Sequence, residues 1–458
     1  MRAQRVPRWY TFAWFAVLPF VALYLAWRSL RQREYRAHWP ERFFGHGASP
    51  PVSGPVVWLH AVSVGETRAA WPLIEQLAQR HPGLHFVLTH MTPTGRAAGS
   101  EIARALGGRV QQRYLPYDLP FAVRRFLGEV RPKLGILMET ELWPILVQEA
   151  HAQGISLALA NARLSPRSLA KAMRYGKLMR NAASNLDLVA AQTEGDRQRL
   201  AQVYDGTIVV TGNCKFDLVP DPGQIALGRR LRAALDQRYG RDPGRQPIWL
   251  FASTREGEES LIVDALARRK RDGASCPILL FVPRHPQRFD EVASLLQQSG
   301  QAVLRRGQWD EVLQTATSPL RGYDGRGAKE SEPPILLGDS MGEMPVYYAM
   351  ADVALIGGSL LPLGGQNLIE ACACGCPVVV GPHMFNFAQA TSDALAAGAA
   401  RAAASPDDAI AVMASLDAAS RGAMSRSALA FWQEHAGASA RTRVLLEELL
   451  AISAAADC

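Results

Sequence analysis

Residues 334–387 read PILLGDSMGEMPVYYAMADVALIGGSLLPLGGQNLIEACACGCPVVVGPHMFNF. Three apolar runs punctuate the stretch: Ile335 to Leu337, Val353 to Ile356 and Val378 to Val380. Each has the length of a buried strand and ends in glycine or a turn, as the strands of a parallel sheet do. Gly357-Gly358-Ser359 follows the second run, and Gly364-Gly365-Gln366-Asn367 leads into an apolar, helix-like segment from Leu368 to Cys374. A glycine-rich loop feeding a helix start offers free backbone N–H groups and the positive end of a helix dipole, which suits a phosphate. Asn367 is placed to cap that helix. Glu370, in its first turn, would repel a bare phosphate and is better suited to accept hydrogen bonds from sugar hydroxyls. The stretch therefore predicts a nucleotide site at the C-terminal ends of parallel strands.

The same alternation runs through most of the chain. In the first half the strand-like runs are Val56–Leu59, His85–Thr89, Leu134–Met138, Ile155–Ala160, Leu186–Ala190 and Ile208–Val210, with a helix over Arg68–Arg80. Proline, glycine and polar residues between Asp217 and Gly244 mark a boundary, and a helix-like segment covers Ile225–Arg238. The pattern then restarts with Ile248–Phe251, Ile278–Val282 and Val303-Leu304. Arg305–Pro333 is polar and glycine-containing and reads as a surface insertion; a helix over Ser439–Ile452 closes the chain. Repeated βα units imply parallel sheets covered on both faces. At 458 residues, two similar doubly wound, Rossmann-like α/β domains facing across a cleft are expected.

Hydrophobic content of 48% with 20% charged residues describes a folded protein. The formal charge of +8 favours an anionic partner. No arginine-rich run interleaved with aromatics occurs in the body of the chain, which argues against nucleic acid. Cys372, Cys374 and Cys376 alternate like a metal motif, yet successive thiols on a helix face different ways and no CxxC or histidine accompanies them. They read as small packing residues, and the cysteine spacing shows no disulfide framework.

Trp9 to Trp27 is an uncharged run of 19 residues, WYTFAWFAVLPFVALYLAW, with aromatics at both ends. It is long enough to cross a bilayer core, and no small-x-small cleavage site follows. Arg28, Arg31, Arg33 and Arg36 after it outnumber Arg2, Arg5 and Arg8 before it, which places the bulk of the protein on the cytoplasmic side. Pro19 leaves both a spanning and an embedded helix open.

Several loops at expected strand ends carry chemistry. His60-Ala61-Val62-Ser63-Val64-Gly65-Glu66 joins the first strand to its helix, and Met138-Glu139-Thr140-Glu141-Leu142-Trp143-Pro144 follows a later one. Acids in a first helical turn ordinarily complement the dipole, but like charges gathered at one sheet edge also raise a carboxyl pKa for acid–base work. Asn161-Ala162-Arg163-Leu164-Ser165 ends a further strand, and Lys215, in Gly212-Asn213-Cys214-Lys215-Phe216-Asp217, is a candidate partner for a carboxylate or phosphate. In the second half, Arg284, in Pro283-Arg284-His285-Pro286, suits bidentate contact with a phosphate. Met341-Gly342-Glu343 and Asn367-Leu368-Ile369-Glu370 complete that rim. No DxD pair or His/Glu set is present to hold a metal on a pyrophosphate.

HAVSVGE, METELWP, NARLS, GNCKFD, PRHPQRF, GDSMGEM and GPHMFNF, in this order, resemble the bacterial 3-deoxy-D-manno-octulosonic acid (Kdo) transferases of lipid A and lipopolysaccharide core assembly. The resemblance extends from the N-terminal segment to about Phe387. It implies a GT-B fold with an anchor and basic juxtamembrane segment (1–45), an acceptor-binding domain (46–220), and a CMP-Kdo-binding domain with the terminal helix (221–458). The implied activity is transfer of Kdo from CMP-Kdo to lipid IVA at the cytoplasmic face of the inner membrane, with neither metal nor other cofactor. Position by position, Glu66 becomes the general base for the 6′-hydroxyl of the lipid. Glu139 and Lys215 become transition-state stabilisers, with Glu141 as the alternative to Glu139. CMP is then expected at Pro283, Arg284, Met341, Gly342, Glu343, Asn367, Leu368, Ile369 and Glu370. The competing readings are another membrane-tethered sugar-nucleotide transferase or epimerase of this fold, and a non-catalytic nucleotide or lipid binder.

Overall fold

The computed structural model describes residues 6–47, 54–239, 246–271, 277–309 and 333–456. Most of the Arg305–Pro333 insertion, part of the Gly45–Pro55 linker, Cys276 and Cys458 lie outside them. The chain forms two compact units, Met1–Leu218 with His435–Cys458, and Val219–Glu434.

The first unit holds a seven-stranded parallel sheet in the order β3-β2-β1-β4-β5-β6-β7. The strands are β1 (Val56–His60), β2 (His85–His90), β3 (Val110–Tyr114), β4 (Leu134–Met138), β5 (Ser156–Ala162), β6 (Leu188–Ala191) and β7 (Ile208–Val210). β1 and β4 are buried along their whole length, which explains their unbroken apolar runs. β3, Val-Gln-Gln-Arg-Tyr, lies at the sheet edge and is only partly buried. Without an apolar run it was not expected as a strand. The chain leaves β1 in one direction through β2 and β3 and returns on its other side as β4. The β1/β4 pair is thus a topological switch point, where loops open outward at the C-terminal sheet edge.

The second unit repeats the architecture in the order β10-β11-β9-β8-β12-β13-β14. Its strands are β8 (Ile248–Thr254), β9 (Ile278–Pro283), β10 (Val303–Arg305), β11 (Ile335–Leu337), β12 (Val353–Ile356), β13 (Val378–Val380) and β14 (Ala400–Ala402). The three runs of the 334–387 stretch are β11, β12 and β13 to the residue. β14, Ala-Arg-Ala, is the second edge strand that lacks an apolar signal. Here the switch falls between β8 and β12, which pair in parallel.

One expectation about organisation is corrected. The terminal helix, Ala438–Ala456, belongs to the first unit and not the second. Leu446 is fully buried with Leu73, Ile74 and Leu77 of the helix Val64–Arg80, and Leu445, Leu449 and Leu450 pack beside it. Burying a leucine this way contributes about 2 kcal/mol. Asp217 fixes the entry by accepting from the backbone N–H groups of Gly437 and Ser439, and Arg441 donates to the Thr211 carbonyl at 2.8 Å.

The N-terminal run forms one helix, Arg8–Arg31, long and apolar enough to cross a membrane. Trp14, Leu18, Val21, Ala22 and Leu25, at helical spacing, pack with Tyr35, Phe43 and Tyr117. Phe12, Phe15, Phe20, Leu23 and Trp27 are exposed on the remaining surface.

Candidate active site and nucleotide rim

Glu66 stands in the first turn of the helix Val64–Arg80, directly after β1. Ser63 caps that helix, its Oγ accepting from the Glu66 N–H. The Glu66 carboxylate reaches back to accept from the Val62 N–H (2.8 Å) and the Ser63 hydroxyl (2.9 Å). The arrangement resembles a capping box but reaches one residue further back, to the N–H before the N-cap, and both hydrogen bonds favour an ionised carboxylate. Burial nevertheless pushes the carboxyl up to about 7, and the charges of Glu139 and Glu141 push the same way against the two hydrogen bonds. A carboxyl poised near neutrality in a polar loop is suited to take up a proton.

Glu139 leaves the end of β4 with φ of +57°, in the left-handed region. A non-glycine residue held there is strained and needs surrounding structure to fix it. Its carboxylate is 4% exposed and lies between two cations, Lys215 Nζ and Arg163 Nε, each at 2.7 Å. Burial would raise this carboxyl; the two ion pairs overcome that and hold it below the usual range. Glu141 is different. It accepts from Trp143 Nε1 (2.9 Å), and burial, with Glu139 nearby, pushes its carboxyl upward. Neighbouring acids are thus driven apart, one locked as an anion and two biased toward protonation.

Lys215 is placed by a turn, Cys214–Asp217, whose backbone is anchored from β5. Asn161, buried and also at positive φ (+52°), accepts from the Cys214 N–H at 3.0 Å. Asn213 accepts from the Lys215 N–H at 3.0 Å. The ends of β1, β4 and β5 and the turn after β7 therefore converge on one acid–cation cluster.

In the second unit the rim comes from the ends of β8, β9, β11, β12 and β13. Gly357, after β12, comes so close to β8 that a Cβ there would lie 2.4 Å from the Ser253 carbonyl oxygen; only glycine fits. Ser253 itself sits at φ of +58°. In the glycine-rich loop that feeds the helix, where free N–H groups were expected, those of Gly365 and Gln366 donate to the carbonyls of Gly358 and Gly357. Those of Gly358 (2.6 Å) and Leu360 (3.0 Å) donate to the buried carboxylate of Glu258, and that of Gly357 to the Ala252 carbonyl. An internal acid has taken them, because buried amides need partners. Glu258 also accepts from the Arg255 N–H (2.9 Å), so one carboxylate ties the β8 and β12 loops together. Gly381, His383 and Asn386 then clasp this loop through Ser359 and Gly364.

Pro283 is buried at the end of β9, and the Arg284 N–H donates to the Thr254 carbonyl at 3.0 Å. Arg255, Arg284 and Arg288 surround His285, which burial and those charges push down; Arg288 is bidentate to Glu259 (2.8 and 3.0 Å). Met341 is exposed and Gly342 adopts φ of +83°. The Glu343 carboxylate pairs with Arg306 (3.0 and 3.1 Å). Asn367 accepts from the Ile369 N–H at 3.1 Å at the start of the short helix Ile369–Ala373. Leu368 and Ile369 are buried in the core, and their backbone is engaged as well: the Ile369 N–H donates to Asn367 and the Leu368 carbonyl accepts from the Cys372 N–H. Among the described residues, no group of three or more His, Cys, Asp or Glu side chains is arranged to hold a metal ion. Burial pushes the Cys372 thiol up to about 12, as befits a packing residue.

Residues 37–218 match the family model described as 3-deoxy-D-manno-octulosonic-acid transferase (kdotransferase). The 3-deoxy-D-manno-octulosonic acid transferase of Bordetella pertussis is 44% identical over 451 residues, which is 96% of this chain and 99% of that protein. The chain belongs to the Kdo transferase family. The transferase of the same name from Haemophilus influenzae is 37% identical over 378 residues, 81% of this chain and 80% of that protein. UDP-GlcNAc 2-epimerase from Neisseria meningitidis, bound to UDP-GlcNAc, superposes with a TM-score of 0.53 over 86% of this chain and 99% of its own at 15% identity. That likeness shows the shared GT-B fold alone.

Within this Kdo transferase family member, the structure brings Glu66, Glu139 and Lys215 together and adds two residues. Arg163 shares Glu139 with Lys215, and Glu258 organises the glycine loop. Arg163 lies one residue past β5 at the same sheet edge, a signal the sequence did carry. Glu258 reads as an ordinary first-turn acid, and nothing in its local sequence marks its role.

Proposed function

We propose that this protein transfers Kdo from CMP-Kdo to the lipid A precursor lipid IVA in lipopolysaccharide biosynthesis. The observation that carries the reading is 44% identity to a Kdo transferase over nearly the whole of both chains; the poised Glu66 beside the Glu139–Lys215–Arg163 cluster agrees with it. In this reading the first unit takes the lipid and the second takes the nucleotide. Glu66 accepts the proton of the 6′-hydroxyl as that oxygen attacks the anomeric carbon of Kdo. The bond from that carbon to the phosphate breaks, and its electron pair leaves with CMP. Glu139 holds Lys215 and Arg163 in place, so that their positive charge is fixed where negative charge develops. A fixed anion between two cations favours Glu139 over Glu141 for this role.

CMP is assigned to Pro283, Arg284, Met341–Glu343 and Asn367–Glu370. Arg284, with Arg255 beside it, supplies positive charge for the single phosphate, and Glu370 is suited to ribose hydroxyls. The exposed apolar face of the helix Arg8–Arg31 supports a membrane anchor, and the basic flank after it supports a cytoplasmic location at the inner membrane. A bisphosphorylated acceptor matches both the anchor and the positive net charge.

Incubating the purified full chain with CMP-Kdo and a lipid A precursor, and following CMP release and product mass, tests the reading. Wild type should add Kdo and Glu66→Gln should not. Wild-type rates from Glu66→Gln would refute the assignment of the base, and absence of Kdo in the product would refute the function.

A further inference from the structure

The loop Glu139–Trp143 is gripped from outside by the N-terminal helix. The indole of Trp143 stacks on that of Trp14, with ring centroids 6.1 Å apart and planes 15° from parallel. Trp143 Nε1 in turn donates to Glu141 at 2.9 Å. Trp14 also meets the ring of Tyr117 at 5.9 Å.

One turn earlier on the same face, the Tyr10 hydroxyl donates to Asp118 Oδ2 at 3.0 Å. Asp118 is fully buried and accepts from the N–H groups of Ile145 (3.0 Å) and Leu146 (2.8 Å). Those amides open the helix Pro144–Ala152, into which the acid loop runs. Its N-cap, Trp143, has no side-chain cap of its own, so Asp118 supplies from a distance what the local sequence lacks. A helix that served only as a tether would need its outward apolar face and a connection to the domain. Tyr10 and Trp14 face inward instead, Tyr10 onto Asp118 and Trp14 onto Trp143 of the loop.

We infer that the N-terminal helix is a positioning element of the transfer site, with Trp14 acting through Trp143 to fix the Glu141 carboxylate and the acid loop beside Glu66. The inference rests on the proposed reading of that loop as the reaction centre. The charged groups bearing on Glu66 are Glu139 and Glu141, with Lys215 and Arg163 paired to Glu139. Releasing Glu141 removes one like charge from the neighbourhood of Glu66, which moves the acid limb of the pH–rate profile to lower pH. Simple loss of membrane attachment does not touch that limb.

The test uses the full chain in detergent with detergent-dispersed acceptor, so that delivery by a membrane plays no part. Trp14→Ala should lower kcat roughly tenfold to a hundredfold, the scale of a small misplacement of catalytic groups. Its acid limb should move to lower pH, and Trp14→Phe, which keeps a stacking ring, should restore most of the rate. Trp143→Phe keeps the ring but loses the N–H to Glu141. It should share the limb shift, which keeps the inference open to refutation if Trp14→Ala folds poorly. Wild-type turnover and an unchanged limb in Trp14→Ala, or equal damage in Trp14→Ala and Trp14→Phe, would overturn it. Glu66→Gln is assayed alongside. If that variant is inactive while Trp14→Ala behaves as wild type, the positioning role fails and the proposed function stands.

Discussion

Glu66 gives the sharpest quantitative expectation, because the same environment that prepares it for proton transfer costs the fold stability. Its carboxyl rises from an ordinary 4.5 to about 7. A base must be ionised to act, and at pH 6 only about a tenth of such a carboxyl is, so kcat/KM should fall about tenfold between pH 8 and pH 6. A carboxyl left at its ordinary value would lose only about 3% over that range. The linkage to stability has a definite sign. A carboxyl raised in the folded state favours folding fully below the unfolded value near 4.5, and that contribution is lost as pH rises through about 7. At pH 8 wild type therefore carries a penalty of ~3 kcal/mol, trimmed somewhat by solvent access.

Glu66→Gln is neutral at every pH and should escape that penalty. The variant should be inactive in Kdo transfer yet melt higher than wild type at pH 8, by roughly 5 °C for a unit of this size. The two midpoints should converge by pH 4.5 to 5. Thermal unfolding at several pH values, read beside the pH–rate profile, checks both halves. A rate that stays flat from pH 8 to pH 6, or a Glu66→Gln variant no more stable than wild type at pH 8, would refute the reasoning.

Three further outcomes follow from the ion pairs and the glycine loop. Lys215→Met leaves the buried Glu139 carboxylate on Arg163 alone, and urea unfolding at pH 8 should show a loss of about 3 kcal/mol, as when one partner of a buried pair is removed. Because that pairing depresses the Glu139 carboxyl, the loss should shrink as pH falls through the acid range, and the added change Glu139→Gln should recover part of it. Glu258→Ala releases the amides of Gly358 and Leu360; titration calorimetry should show CMP binding at least ~10-fold weaker, with the acid limb unmoved, since strained loops persist only while their supports do. Deleting residues 1–31 should shift the protein from the membrane pellet to the supernatant while baring Tyr117 and Trp143, so light scattering should report association of the truncated chain.

The alternation of apolar runs and helical segments was enough to expect two doubly wound units, since central parallel strands are buried on both faces and must be continuously apolar. Leu134–Met138, Ile208–Val210 and the three strands of the 334–387 stretch coincide with the runs that announced them. β3 and β14 were missed for the converse reason: edge strands are half-covered and tolerate Gln111, Gln112 and Arg401, while the buried Arg113 is paired with Glu129. The terminal helix was assigned to the wrong unit because sequence proximity says nothing of which sheet face is left uncovered.

The candidate site divides in the same way. Glu66, Glu139 and Lys215 were visible from motif and loop position, since every βα loop of an open parallel sheet emerges at one edge. Their division of labour was not visible, because a pKa depends on burial and on charges brought from other strands. Arg163 and Lys215 make Glu139 an anion, while desolvation lifts Glu66.

The 334–387 stretch is the clearest case. Its residue types alone determined three strands, their glycine-rich connections and the edge at which a nucleotide is expected. Tertiary structure alone decided what those glycines do. A distant carboxylate, Glu258, takes the loop amides, and the carbonyl of Ser253 leaves no room for a side chain at Gly357. A backbone N–H reads the same in any sequence; its partner is set only when the chain folds and buries it.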